Sequence, residues 1–188
     1  MRKVKLQMQM TINGYVGGLN GKNDWMTWMP DDEFIKFLVS LIDTSDILLL
    51  GRKTAETIIK YWENEADQNP AHPFAKKIAS IQKIVFTKTL DKSIWNNTTL
   101  ARRNLAEEIA GLKKQSGKDI LVFGGADFVS SLIKDELIDE YHLIINPTAM
   151  GEGKTIFNAL DGVRKLTPIQ SKLYPGGKTV LSFKPKND

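Results

Sequence analysis

The stretch that most limits what this chain can fold into is Ile120 to Ile133, ILVFGGADFVSSLI. Four apolar residues, Ile120 to Phe123, read as a buried strand. Gly124 and Gly125 stop it, and Phe128, Val129, Leu132 and Ile133 then fall on one helical face. Neither glycine has a Cβ, so a ligand can approach the backbone closely at the turn. The helix start behind them offers unpaired N–H groups and a partial positive charge. That combination suits a phosphate or pyrophosphate. The same residues also make a plain tight turn, and the full GxGxxG spacing is absent.

The arrangement recurs. Ile47 to Leu50 reads as another buried strand, ended by Gly51. Arg52, Lys53 and Thr54 then open a helix with Ala55, Ile58, Ile59 and Trp62 on its apolar face. Cations are unfavourable at a helix N-terminus unless an anion sits among them. A third strand, Lys83 to Phe86, ends in Thr87-Lys88-Thr89. Ligands of open α/β sheets bind beyond the carboxyl ends of strands. Three such ends therefore argue for an extended ligand with several phosphates.

The other segments supply the frame. Lys3 to Thr11 alternates, with Val4, Leu6, Met8 and Met10 on one face and Lys5, Gln7 and Gln9 on the other. After Asn13-Gly14, the loop Asp24 to Pro30 holds Trp25 and Trp28, as packing or as a wall for a flat ligand. Asp31 to Asp43 is the clearest helix, with Phe34, Phe37, Leu38, Leu41 and Ile42 on one stripe. Asp31, Asp32 and Glu33 crowd its first turn. Capping and dipole compensation explain part of that. One carboxylate facing the aromatic loop would be desolvated, its pKa raised, and able to deliver a proton.

Glu63 to Pro73 reads as a surface loop carrying an exposed His72, and a short helix follows near Phe74 to Ser80. Thr98 to Ala101 reads as a short strand, and Leu105, Ile109 and Leu112 mark a helix. Tyr141 to Ile145 is a strand with His142 expected on its solvent or interface side. Gly151-Glu152-Gly153-Lys154 is expected to be a mobile loop. Lys165 to Tyr174 and Thr179 to Lys184 form a closing hairpin around Pro175-Gly176-Gly177. The expected fold class is α/β, one domain over 1–188. Its central sheet is mixed and mostly parallel, with helices on both faces and a C-terminal antiparallel hairpin.

Composition removes several chemistries. There is no cysteine, so disulfides, thiol catalysis and cysteine-ligated zinc are excluded. Two histidines leave little for a histidine-rich metal site or a Ser-His-Asp triad, and no metal is expected. The net charge of +4 is spread over scattered basic pairs rather than a stripe, which argues against nucleic acid. No apolar run approaches the ~20 residues of a membrane span. The basic N-terminus lacks the apolar core of a signal peptide. A cytoplasmic protein without a membrane or nucleic-acid partner is the expectation.

Four segments, VKLQMQMTINGYVGG, DILLLGRKTAETI, ILVFGGADFVSSLI and LIDEYHLIINPTAMGEGKTIF, resemble in that order parts of the dihydrofolate-reductase-like superfamily. Within it, the resemblance is to the C-terminal reductase domain of the riboflavin-biosynthesis deaminase–reductase, here as a stand-alone member. It implies the dihydrofolate reductase-like three-layer fold, NADPH as hydride donor and a homodimer, with the Tyr141 to Ile145 strand as a mediator. It also implies roles for residues. Gly51, Arg52, Lys53 and Thr54 would hold phosphates, and Thr87 and Lys88 would meet the adenosine 2′-phosphate. Gly124, Gly125, Ala126 and Asp127, with Phe128 beside them, would receive the pyrophosphate. Val16 and Gly17 would line the nicotinamide. Asp32 falls where folate reductases keep a buried acid, and Glu33 is one step away. Trp25, Trp28 and Phe34 would wall the acceptor's pocket.

The chain also departs from that pattern. TAETIIKYW replaces the Asp-x-Pro-x-Leu stretch of riboflavin reductases, and Thr11-Ile12-Asn13-Gly14 replaces their Ser-x-Asp-Gly. Leu143 stands where folate reductases have a threonine, and the absence of cysteine separates the chain from the fused zinc deaminase. The implied reaction is hydride transfer to a C=N or C=O of a small heterocycle. A phosphoribosylaminouracil is the first substrate, and a dihydrofolate or pterin is the alternative. A sensor that binds NADPH without turnover is the alternative of another class.

Overall fold

A computed structural model of the chain describes residues 1–27 and 31–186. The chain begins with β1 (Val4–Thr11), α1 (Asp32–Asp43), β2 (Ser45–Gly51), α2 (Arg52–Gln68), α3 (Pro73–Ser80), β3 (Gln82–Phe86) and β4 (Thr98–Leu100). It continues with α4 (Leu105–Lys114), β5 (Asp119–Val122), α5 (Ala126–Lys134), β6 (Glu140–Asn146), β7 (Leu166–Leu173) and β8 (Thr179–Pro185). The strands form one sheet in the order β4-β3-β2-β5-β1-β6-β8-β7. The first six of that order run parallel, and β8 and β7 close the sheet antiparallel. This is the mixed, mostly parallel sheet with a terminal hairpin that the residue patterns imply, in a dihydrofolate reductase-like architecture.

Apolar alternation divides the helices between the two faces. Ile47 and Leu49 of β2, with Ile120 and Val122 of β5, pack against Ile109 and Leu112 of α4 and Val129, Leu132 and Ile133 of α5. Leu48 and Leu50, with Leu121 and Ile144, pack against α1, α2 and α3 through Phe34, Leu38, Ile59, Trp62 and Ile78. Because both faces are covered, β2 reads as a continuous apolar run. Its leucines at 48, 49 and 50 are all wholly buried, each contributing about 1.5–3 kcal/mol.

Three local expectations change. The polar run after Trp62 is helix rather than loop, since α2 continues to Gln68. Glu63, Asn64, Glu65, Ala66, Asp67 and Gln68 contain no proline or glycine, and Glu, Ala and Gln extend a helix without needing a core face. His72 is not simply exposed: it caps α3, its Nδ1 accepting from the Ala75 N–H at 3.2 Å, with Pro73 beginning the helix. The loop at Gly151 to Lys154 is pinned. Val16 donates to the Lys154 carbonyl and Lys154 to the Gly17 carbonyl, both at 2.8 Å. A Cβ on Gly153 would stand 2.8 Å from the Gly17 oxygen, so only glycine permits that approach.

His142 also differs from expectation. β6 lies between β1 and β8, so it has no free edge through which to pair with another copy. Among the described residues, the sheet's edges are β4 and β7. His142 is buried, with Nδ1 2.9 Å from the Ser182 hydroxyl and its ring edge-on to Phe37 of α1. The covering helix removes it from solvent. Burial lowers its pKa, and the nearby Glu140 carboxylate offsets this only in part.

The consequence for stability has a defined sign. The folded pKa of His142 lies below the ordinary 6.5, so the unfolded chain takes up the extra proton first as pH falls. Stability is therefore lost as pH drops from about 6.5 toward the folded pKa, by at most about 1.4 kcal/mol per pH unit. Urea unfolding at pH 7 and pH 5 checks this: His142→Gln is expected to flatten the acid-side loss relative to wild type.

Candidate functional site

The six parallel strands end along one edge of the sheet, and a cavity of about 1530 Å³ opens there. It exceeds the ~300–1,000 Å³ of an ordinary small-molecule pocket, leaving room for an extended ligand and a second molecule. β5 is decisive for its shape. Inserted between β2 and β1, it brings Gly124-Gly125 beside Gly51, and the Gly51 N–H donates to the Gly124 carbonyl at 3.1 Å. Gly124 has φ +113, a left-handed conformation that favours glycine. A Cβ on Gly125 would meet the Thr54 hydroxyl at 2.5 Å, and one on Gly51 would meet Phe128 Cβ at 3.0 Å.

Two helices start at this point. α2 follows Gly51 and α5 follows Gly125, and neither helix has a side-chain cap. Their first N–H groups and dipoles thus remain available to an anion. Arg52, Lys53, Lys88 and Arg103 all line the cavity. Arg52 pairs with Glu56 at 2.5 Å, whereas Lys53, Lys88 and Arg103 have no ion-pair partner among the described residues. Thr87 accepts from the backbone N–H of Thr89 and Leu90, at 3.1 and 3.2 Å, which fixes the turn carrying Lys88. Phe86 and Phe128 stack with ring centroids 4.9 Å apart.

Another part of the cavity wall carries buried polar side chains. Gln7, Gln9, Thr27, Phe34 and Lys178 line it. Lys178 is only 4% exposed, yet it is among the residues that line the cavity. Nζ donates to Gln9 Oε1 and to Asn146 Oδ1, both at 3.0 Å, and stands 5.3 Å from the Phe34 ring centroid. Asn146, fully buried, donates from Nδ2 to the same Gln9 oxygen at 3.2 Å. The Thr27 N–H and hydroxyl both donate to Asn146 Oδ1, at 3.2 Å. Burial lowers the Lys178 pKa to about 8, and the charge of Asp31 works against that shift. Gln7 is 5% exposed, and its Oε1 has no hydrogen-bond partner among the described residues.

All thirteen residues expected at the strand ends and in the nicotinamide loop come together on this one cavity. They are Val16, Gly17, Gly51, Arg52, Lys53, Thr54, Thr87, Lys88, Gly124, Gly125, Ala126, Asp127 and Phe128. Phe34 joins them at the far end. The expected acids do not. Asp32 and Glu33 are exposed and off the cavity wall, and Glu33 pairs with Lys172 at 2.7 Å. The reason is helix phase: Phe34 and Leu38 turn into the core, which rotates positions 32 and 33 outward. Asp31 is the cap. Its Oδ1 accepts from the Phe34 N–H at 2.7 Å and its Oδ2 from the Gly176 N–H at 3.0 Å. Trp25 is buried in the protein but does not line the cavity. Trp28 lies outside the described residues.

Lys178, Gln7, Gln9 and Arg103 are among the cavity residues that sequence patterns did not assign to the site. For the glutamines a signal existed: a polar face on a strand of a sheet covered by helices on both sides. Among the described residues there is no group of three side chains placed to hold a metal ion, and no helix long and apolar enough to cross a membrane.

Comparison with known proteins agrees with this architecture. The family described as the RibD C-terminal domain matches residues 2–180. The uncharacterized protein YyaP of Bacillus subtilis (strain 168) is 32% identical over 97% of this chain and 94% of its own length. A Shewanella sp. PV-4 crystal structure, named for riboflavin biosynthesis, superposes over 100% of both chains with a TM-score of 0.79 at 21% identity. The Thermotoga maritima diaminohydroxyphosphoribosylaminopyrimidine deaminase/5-amino-6-(5-phosphoribosylamino)uracil reductase superposes at a TM-score of 0.70 and 14% identity. That match covers 98% of this chain and 57% of the Thermotoga chain. With the family match over nearly its whole length and a relative 32% identical, the chain belongs to the RibD C-terminal domain family.

Proposed function

We propose that this protein is an NADPH-dependent reductase acting on a C=N or C=O of a small heterocycle. The observation that carries the reading is the convergence, on one cavity, of two helix starts without side-chain caps and of Arg52, Lys53, Lys88 and Arg103. Membership of a family of reductase domains supports oxidoreductase chemistry. The cavity suits a dinucleotide, because its floor is bare backbone: a Cβ would be crowded at Gly51 and Gly125, and the φ of +113 at Gly124 favours glycine. Bound there, the dinucleotide supplies a hydride.

The residues divide the work of holding it. Arg52, Lys53 and the N–H groups from Gly125 to Asp127 bind the phosphates. Thr87 and Lys88, joined by Arg103, bind the 2′-phosphate, which calls for cations beyond those that a pyrophosphate needs. Val16 and Gly17, fixed by the Lys154 backbone bridge, orient the nicotinamide end. Phe34 and the aliphatic wall exclude water. An aminouracil of the riboflavin-pathway type is the first substrate reading, since the Thermotoga neighbour is named for that reduction; a pterin is the second. A module that only senses the cofactor needs the strand tips alone. The buried Lys178 network at the far end supports turnover.

Titration with NADPH and NADH, followed by tryptophan emission, tests the reading. NADPH is expected to bind at least about tenfold more tightly. Lys88→Ala and Arg103→Ala should each cost about 1.5 kcal/mol or more of NADPH binding, roughly a tenfold rise in Kd, and leave NADH within about twofold. Equal affinity for the two cofactors contradicts the 2′-phosphate assignment. Gly125→Ala, whose Cβ meets Thr54 Oγ1 at 2.5 Å, should instead weaken both cofactors by a similar factor with circular dichroism unchanged.

A further inference from the structure

Within the reductase reading, on which this step rests, we propose that Lys178 is the proton donor. From Nζ it protonates the heteroatom of the acceptor's C=N or C=O, while Gln9 and Asn146 hold the ammonium in place. The expected acids, Asp32 and Glu33, lie outside the cavity, so the proton must come from elsewhere. Lys178 is the buried ionisable group on the polar end of the cavity.

The geometry favours a donor over a structural pin. An ammonium has three protons to give. Two go to Gln9 Oε1 and Asn146 Oδ1, and the third has no acceptor among the described residues. No carboxylate of the described residues lies within ion-pair distance of Nζ. A buried charge without a counterion is costly, and such groups gather at functional sites. Gln7, two positions before Gln9 on the same face of β1, also lines the cavity, and its buried carbonyl oxygen has no hydrogen-bond partner among the described residues.

The surrounding charges set how the group titrates. From α1, Asp31 favours the ammonium, and Glu33 beside it is tied to Lys172. From the β7–β8 turn comes Tyr174, whose own pKa is raised by burial. β1 and β6 contribute only the neutral Gln9 and Asn146. Burial outweighs Asp31, and Lys178 is left with a pKa of about 8, so it is mostly protonated at neutral pH and still a competent acid.

The step balances as follows. The acceptor carbon gains a hydride from the NADPH of the proposed reaction, and a C–H bond forms. The π pair of the C=N or C=O moves to the heteroatom. One N–H bond of the Lys178 ammonium breaks and an N–H or O–H bond forms on that heteroatom. Lys178, now a neutral amine, regains a proton from solvent.

Two measurements on the full chain test this. In protein carrying lysine labelled with carbon-13 at Cε, one resonance is expected to titrate near pH 8 and to vanish in Lys178→Met. A Lys178 resonance titrating near the ordinary ~10.4 overturns the proposal. The second measurement is NADPH oxidation against dihydrobiopterin, a five-membered cyclic imine and nitrobenzaldehyde. Lys178→Met and Lys178→Arg should both lower kcat by about 10²–10⁴-fold, with the NADPH Kd within about twofold. Wild-type kcat should fall as pH rises through about 8, because the acid form is lost. Recovery of turnover by Lys178→Arg means that charge alone matters and overturns proton donation while the reductase reading stands. Wild-type protein that binds NADPH but oxidises it neither with these three probes nor with 5-amino-6-(5-phosphoribosylamino)uracil removes the reductase reading, and this proposal with it.

Discussion

The structure depends on the insertion of one short strand. β5 enters the sheet between β1 and β2, although the chain reaches it only after β3 and β4 are laid down. That position sets Gly124 against Gly51, joined by a 3.1 Å hydrogen bond, and packs Gly125 on Thr54. Two helices thereby start side by side over adjacent strand ends. Their exposed N–H groups act on the same volume, which a single helix start would not achieve. The sheet's outer parallel strands then add Lys88 and Arg103, extending the cationic region away from the glycines.

The other end of the cavity obeys a different rule. A central strand buried on both faces is normally apolar throughout. β1 instead carries Gln7 and Gln9 on the face that α1 covers, and β6 contributes Asn146. Such groups cost free energy unless they are hydrogen-bonded. Gln9, Asn146, Thr27 and Lys178 satisfy one another nearly completely. A network of this kind keeps its members rigid in a low-dielectric setting, where an ammonium exerts most of its influence. The cationic strand ends and the Lys178 network thus share one cavity, whose wall also includes Val16 and Gly17.

Much of this is legible in the residues. Gly51, Gly124 and the threonine–lysine pair at 87 and 88 are punctuation at strand ends, and local chemistry alone marks them. The acid assignment fails because it depends on helix phase. Three consecutive carboxylates in a first turn look equivalent until the core selects Phe34 and Leu38 to face inward, leaving Asp31 as cap and Asp32 and Glu33 in solvent. Lys178 is hidden for another reason. It follows a Pro-Gly-Gly turn and reads as a hairpin end, and only the long-range pairing of β8 with β6 brings it to β1. His142 is misread likewise, because alternation does not say whether a helix lies over a strand. Gln7 and Gln9 were visible as an anomaly once both faces of the sheet were taken as covered.

The central claim is that a phosphate-bearing dinucleotide lies across the paired helix starts. Backbone amide NMR of the labelled protein during NADPH addition tests it most directly. The account predicts large, saturable shifts at Arg52, Lys53, Gly125 and Ala126, with smaller ones at Thr87 and Lys88 and none along the remote edge strand β7. Saturation that leaves the Gly125 and Arg52 amides unmoved would contradict it.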